Sequence, residues 1–482
     1  MCLKNVKGSK SLVNVVGVNA AKIVFAALVA LVLVDPASGA IPNPVVTGPV
    51  AAHALPGDPS HDYPFFSTTS NLAKFGYVEE EFFFEGTANR YNLPSLGNGS
   101  VIDTGHHYRT RMIVRRPASP ARFNGTVLME WQNVFAGYDF DLAWVMASDH
   151  FIRRGYAWVG VSCQRASVHQ AGTGLKAWSP NRYGTLDVSD GGSIPDDALS
   201  YDIYSQAAQA VRSAVGVSPM GPLSVRRVFA VGVSQAAIRG LAPYYNSIQS
   251  LSGAFDGFLL IGGGGVLRTD VSVKAFKLLS ETDVAIGGNQ VGVSQPDSDH
   301  FRTWEVAGAA HLDHWFQQAV FPLQTRDGVP QIPDNPPCTN PPFSRVPYHF
   351  ALNAAIDHML LWVNYGMAPA GAPGITADAG SPTLVARDSY GNALGGIRLP
   401  QHAIPTAVNT GVNSPPAPSA CRFFGSYQPF DQQTLDALYR NHGSYVSAVT
   451  RSAVTNLLHG FLVLEDAIVT VQEAAQSDVG KP

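Results

Sequence analysis

Charge is scarce in this chain of 482 residues: Asp, Glu, Lys and Arg together make up 14%, and the formal net charge is −4. No run of Lys or Arg occurs beyond the extreme N-terminus, so the basic footprint that a nucleic-acid partner requires is missing. Long apolar runs are missing as well. The run from Ile23 to Val34 has 12 residues, whereas roughly 20 are needed to cross a bilayer, so no stable membrane anchor is expected. No Gly-x-Gly-x-x-Gly opens a helix after an early strand, which argues against a dinucleotide. The GGGG at 262–265 has no Lys-Ser/Thr behind it and reads as a strand-end turn instead of a phosphate loop. No internal repeat or heptad pattern is visible, and no cofactor is expected.

Cysteine is almost absent, with four in the chain. Cys2 lies in a segment that reads as an export signal: Lys4, Lys7, Lys10 and Lys22 precede the short apolar run, and Ala37-Ser38-Gly39-Ala40 supplies small residues for cleavage. Residues 1–40 are therefore expected to be a signal peptide, and the mature protein to be secreted or periplasmic. In an oxidising compartment Cys338 and Cys421, each in a proline-rich segment, are candidates for a disulfide. Cys163 follows an apolar strand and reads as a buried thiol.

What is present is an alternation of short apolar runs with helical patterns from residue 108 onward, the mark of a mostly parallel sheet covered on both faces. Strands are expected at 108–117, 125–134, 156–164, 228–233, 255–263, 271–281 and 301–308, with helices at 141–154, 200–215 and 353–365. Three stretches rich in Gly, Pro, Asn, Asp and Ser break the rhythm: 41–105, 165–199 and 316–346. The last two follow strand ends and are candidates for a lid or cap. A helical region is expected at 431–475, and residues 41–482 are expected to form a single domain.

The strand before Ser234 runs into Gly232-Val233-Ser234-Gln235-Ala236 and out into a helix, the sequence form of a nucleophile elbow, which sets a serine hydroxyl at the edge of a sheet. A serine needs a histidine base and an orienting carboxylate, in the order Ser, Asp/Glu, His for an α/β-hydrolase sheet. The chain supplies that order: SETD after one strand offers Glu281 and Asp283, and EVAGAAH after the next offers His311. Asp283 is the preferred acid and Glu281 the alternative. His314 competes with His311, and the pair could form a His-x-x-His metal site, but no matching Cys or carboxylate cluster accompanies it, so no metal is expected.

An oxyanion hole needs two N–H groups aimed at the developing alkoxide, where a deleted side-chain donor costs about 2.7–4 kcal/mol. One is expected from Gln235 and the other from the loop after EWQNV, at Gln132 or Asn133. Glu130 and Trp131 read as supports beneath the site.

The segments VLMEWQNV, GYAWVGVSCQ, GVSQAA, SETDV, FRTWEVAGAAHLDH, FALNAAIDHMLLWV and FFGSYQPFD, spread over about 108–430, resemble a family of mostly uncharacterised, often secreted bacterial α/β-hydrolase domain proteins. The resemblance implies the α/β-hydrolase fold and a serine hydrolase with Ser234, His311 and one acid of SETD as its triad. The leading expectation is a carboxylesterase acting on a small-molecule or polymeric ester through an acyl-enzyme. The alternatives are acyl transfer or polyester depolymerisation on the same triad, and a noncatalytic binding protein on a hydrolase scaffold.

Overall fold

The computed structural model describes residues 41–286, 295–413 and 419–481. The expected signal peptide lies outside the described residues. The central strands are short and buried on both faces: β4 (Thr126–Trp131), β5 (Ala157–Val161), β7 (Arg227–Val233), β8 (Gly257–Ile261), β9 (Lys274–Ser280) and β10 (Phe301–Val306). Continuous apolar runs of this length suit parallel strands covered by helices, and these six are parallel to one another. The sheet is completed by β1 (Val45–Thr47), β2 (Tyr77–Asn92), β3 (Ser100–Pro117) and β6 (Val215–Gly216), in the order β10-β9-β8-β7-β4-β5-β3-β2-β1-β6.

Because side chains alternate across a strand, β4 shows how the layers attach. The Trp131 ring lies 5.0 Å from that of Tyr204 on helix Ser200–Ser213. One residue earlier, Glu130 points to the opposite face, where it accepts the Ala143 N–H at the start of helix Leu142–Arg154 (2.9 Å). Residues 39–482 form one compact unit, and none of the helices among the described residues is long and apolar enough to cross a membrane.

The structure corrects two expectations and adds detail to a third. The stretch 41–105 contains β2, a strand of 16 residues, and the start of β3. Three consecutive glutamates hide β2 in the sequence, but each has an arginine on β3: Glu79 with Arg115 (2.7 Å), Glu80 with Arg116 (2.6 Å) and Glu81 with Arg111 (2.7 Å). The stretch 316–346 begins inside a helix, His314–Asp327, capped at its N-terminus by Asp313. The C-terminal region 431–475 is three helices, Gln432–Leu438, His442–Leu458 and Leu464–Gln476, broken by tight turns.

Candidate active site

Parallel strands deliver their carboxyl ends to one edge of the sheet, and the predicted residues follow those ends: Gln132 and Asn133 after β4, Ser234 after β7, Glu281 and Asp283 after β9, His311 after β10. Ser234 has φ +58°, in the left-handed region, where a non-glycine residue costs of order 1–2 kcal/mol. Two bonds hold it there: its N–H donates to Ile261 (2.7 Å) and its carbonyl accepts from Ile238 (3.0 Å). A Cβ on Gly232 would come within 2.9 Å of Leu241, so that position has no room for a side chain. Ala236 is fully buried, and its single methyl group fits where the usual motif has a second glycine.

The two candidate acids have different partners. Asp283 Oδ1 lies 2.6 Å from His311 Nδ1, while its Oδ2 accepts from both the N–H and the hydroxyl of Ser280 (2.7 Å each). Glu281 turns away, pairing with Arg387 (2.7 Å) and accepting the Gly308 N–H (2.8 Å). Between them, Thr282 accepts the His311 N–H (3.0 Å). All three residues of Glu281-Thr282-Asp283 thus hold the histidine loop, and only Asp283 meets the imidazole. His314 starts the next helix with its ring against Trp315. No cluster of three or more metal-ligating side chains occurs among the described residues.

Behind the imidazole lies the glycine turn at 262–265. Gly262, at φ +68°, leaves no space for a methyl group: a Cβ there would sit 2.7 Å from His311 Cε1. The glycine-rich segment is therefore the wall against which the histidine packs.

The N–H groups expected to supply the second oxyanion donor, and the one after them, all have partners. The N–H of Asn133 donates to Phe140 (3.2 Å) and that of Gln132 faces Val161 O (3.4 Å), so both backbone groups are engaged. The Asn133 amide instead ties the loop to the residue before the elbow, donating to Val233 O (2.9 Å). The next N–H, on Val134, meets the side-chain oxygen of Gln235 at 3.3 Å. Gln235 N–H stands at a helix start, where no intrahelical partner exists. Sequence reasoning singled out neither Val134 nor Gln164, whose amide oxygen accepts from Gln235 Nε2 (2.7 Å).

Beneath this loop a buried ionic network fixes its far end. Arg111 lies between Glu81 and Asp139, and Arg115 between Glu79 and Asp141. Glu130 is buried among these groups, and burial pushes its carboxyl up to about 8. Asp313, two residues past His311, is raised to about 7 by burial while capping its helix.

The alpha/beta hydrolase domain family matches residues 46–472. The chain belongs to this family. No curated protein matches it. Among solved structures, this alpha/beta hydrolase is similar to an α/β serine hydrolase without a lid from Xanthomonas campestris, at 12% identity over 51% of this chain and 97% of that one, with a TM-score of 0.27. A structure of esterases from Rhizomucor miehei is also similar, at 12% identity over 52% and 82% with a TM-score of 0.27. Esterase Est22 is 14% identical over 53% and 80%, with a TM-score of 0.31.

Two cavities of the alpha/beta hydrolase meet at Ser234 and His311. One, of about 190 Å³, is lined mainly by apolar side chains, among them Phe140, Leu142, Leu312, Ile332 and Phe424. The other, of about 350 Å³, also contains Gln235, Ile238, Arg239, Gly262 and Arg422. Pro330, Gln331 and Ile332 bring part of the expected 316–346 cap to the apolar cavity. The expected 165–199 cap lines neither. Its Arg182 and Tyr183 are instead bonded to Glu81 (2.7 Å each), packing it beneath β2. Cys338 and Cys421 are joined, which anchors Phe423 and Phe424 at the cavities.

Proposed function

We propose that this alpha/beta hydrolase is an exported serine hydrolase that cleaves carboxylic esters through an acyl-enzyme on Ser234. The reading rests on one observation: the Asp283–His311 contact of 2.6 Å stands in the wall of cavities that Ser234 also lines, with Ser234 held in the left-handed conformation of an elbow. In this scheme His311 takes the hydroxyl proton as Ser234 Oγ attacks the ester carbonyl. The oxyanion is met by the N–H of Gln235 and by that of Val134, which exchanges its 3.3 Å bond to the Gln235 side chain for the oxyanion. His311 then gives the proton to the departing alkoxide, releasing the alcohol and leaving acyl-Ser234. Water attacks that ester with His311 again as base, which frees the acid and restores the serine. Asp283 keeps the imidazole in the tautomer that presents a free nitrogen to Ser234. The Cys338–Cys421 bond supports an oxidising location.

The test is turnover of p-nitrophenyl esters together with labelling by a fluorophosphonate probe. Ser234→Ala is expected to abolish both, and undiminished labelling of that variant would remove Ser234 as nucleophile. Asp283→Asn is expected to lower kcat by about 10⁴-fold through the wrong tautomer. Glu281→Gln is expected to act mainly on stability, by loosening the Arg387 pair. Equal losses of kcat in the two acid variants would overturn the assignment of Asp283.

A further inference from the structure

Phe135 and Phe423 line both cavities, with ring centroids 6.1 Å apart, and separate the space around Ser234 into two compartments of contrasting chemistry. On the apolar side His311 is the only titratable side chain. Its polar side chains are largely satisfied: Gln324 bonds Tyr138 (2.8 Å) and the Ile332 N–H (2.9 Å), and Asn133 bonds Val233. The other side carries two exposed guanidinium groups, Arg239 and Arg422. Arg422 lies over the Phe423 ring at 4.7 Å.

Among the described residues no carboxylate forms an ion pair with either arginine, although Glu79, Glu80, Glu81, Asp139 and Asp141 are all spent on other arginines. The one carboxylate in the wall of this cavity, Asp283, is fully committed to His311 and Ser280. Asp197 reaches Arg239 only through space, lies outside the lining, and accepts the Arg165 N–H at 2.6 Å. Guanidinium groups bind carboxylates through paired N–H donors.

We infer that the substrates are amphiphilic esters, with an apolar half in the smaller cavity and a carboxylate-bearing half held by Arg239 and Arg422 in the larger one. This rests on the serine-hydrolase reading above and names the substrate class for it. It also gives the partition a purpose, since Phe135 and Phe423 keep the anion out of the apolar compartment.

The experiment compares two matched pairs of esters: p-nitrophenyl butanoate with the mono-p-nitrophenyl ester of glutaric acid, and phenyl butanoate with 3-carboxyphenyl butanoate. The pairs place the carboxylate on the acyl side and on the leaving group respectively. For each pair the ratio of kcat/KM, anionic over neutral, is measured for wild type and for Arg239→Gln/Arg422→Gln, which cancels the intrinsic reactivity of the esters. In at least one pair the ratio is expected to fall in the variant by roughly two- to thirty-fold at low ionic strength, the range for two solvent-accessible charge pairs. The wild-type ratio is expected to fall in the same direction in 0.5 M salt. Ratios unaffected by the substitutions in both pairs, with neutral esters still turned over by wild type, overturn the inference and leave the hydrolase reading intact. A wild-type protein inert towards all four esters overturns that reading and the inference with it.

Discussion

Gly262→Ala tests the geometry at the centre of the site with a single methyl group. At φ +68° alanine carries left-handed strain of about 1–2 kcal/mol, which in a protein of this size lowers the thermal midpoint by roughly 1–2 °C. Gly253→Ala carries the same strain at φ +59°, but no atom lies within 4 Å of its new methyl group, so it reports the strain without the clash. The two variants should differ in activity. At Gly262 the methyl group would stand 2.7 Å from His311 Cε1 and 2.9 Å from Nδ1, and ordinary contact begins at 3.4 Å. The imidazole must therefore retreat by about 0.7 Å, which breaks register with an Asp283 oxygen held 2.6 Å away. Misplacement on this scale costs on the order of 10²-fold in rate. The assay is kcat on p-nitrophenyl butanoate beside a thermal melt. Equal kcat for Gly262→Ala and Gly253→Ala would refute the claim that His311 works from its position against Gly262 and Asp283.

Two further predictions concern stability. Cys338 and Cys421 close a loop of 83 residues, worth roughly 4–5 kcal/mol by the chain-entropy argument. Cys338→Ser/Cys421→Ser is expected to melt several degrees lower, and dithiothreitol should lower the melting point of wild type but not of this variant. Glu130 has its pKa raised by burial from 4.5 to about 8, so the folded chain holds that proton more tightly than the unfolded one. Its contribution is fully present below about pH 4.5 and is lost as pH rises to about 8, by a few kcal/mol in all. Urea midpoints of wild type and Glu130→Gln measured from pH 5 to 8.5 should therefore shift in the variant's favour as pH rises. A difference independent of pH would rule out the raised pKa.

The parts of the fold legible in the sequence are those where burial alone decides. β4, β5 and β7 to β9 lie inside the sheet and β10 at its edge is largely covered, so their composition is mainly apolar and their carboxyl ends mark the edge that carries Ser234, Asp283 and His311. β2 was hidden because its glutamates are neutralised by arginines 30 to 36 residues further on, a pairing that no local pattern reveals. The helix His314–Asp327 had readable signals, an Asp313 cap and a terminal Gly328. Pro322 and three glutamines within it obscured the apolar stripe.

The same division runs through the site. Ser234 follows its strand directly, and Asp283 and His311 lie three and five residues past theirs, so their order in the chain carries their order in space. Glu281 and Asp283 are told apart by their partners, Asp283 meeting His311 and Glu281 meeting Arg387, 106 residues away. The Asn133 N–H, one of the expected oxyanion donors, is engaged by a bridge to Phe140. A backbone N–H has no side-chain identity to read, so only the folded chain shows which partner each loop N–H meets. Substrate selection lies further still from local pattern, because Phe135, Arg239, Ile332 and Phe423 come from four separate segments. The sheet brings the reacting groups together by topology alone. On the proposed function, what they act on depends on loops joined in part by the Cys338–Cys421 bond, so altering those loops is expected to change the substrate while the strand ends stay as they are.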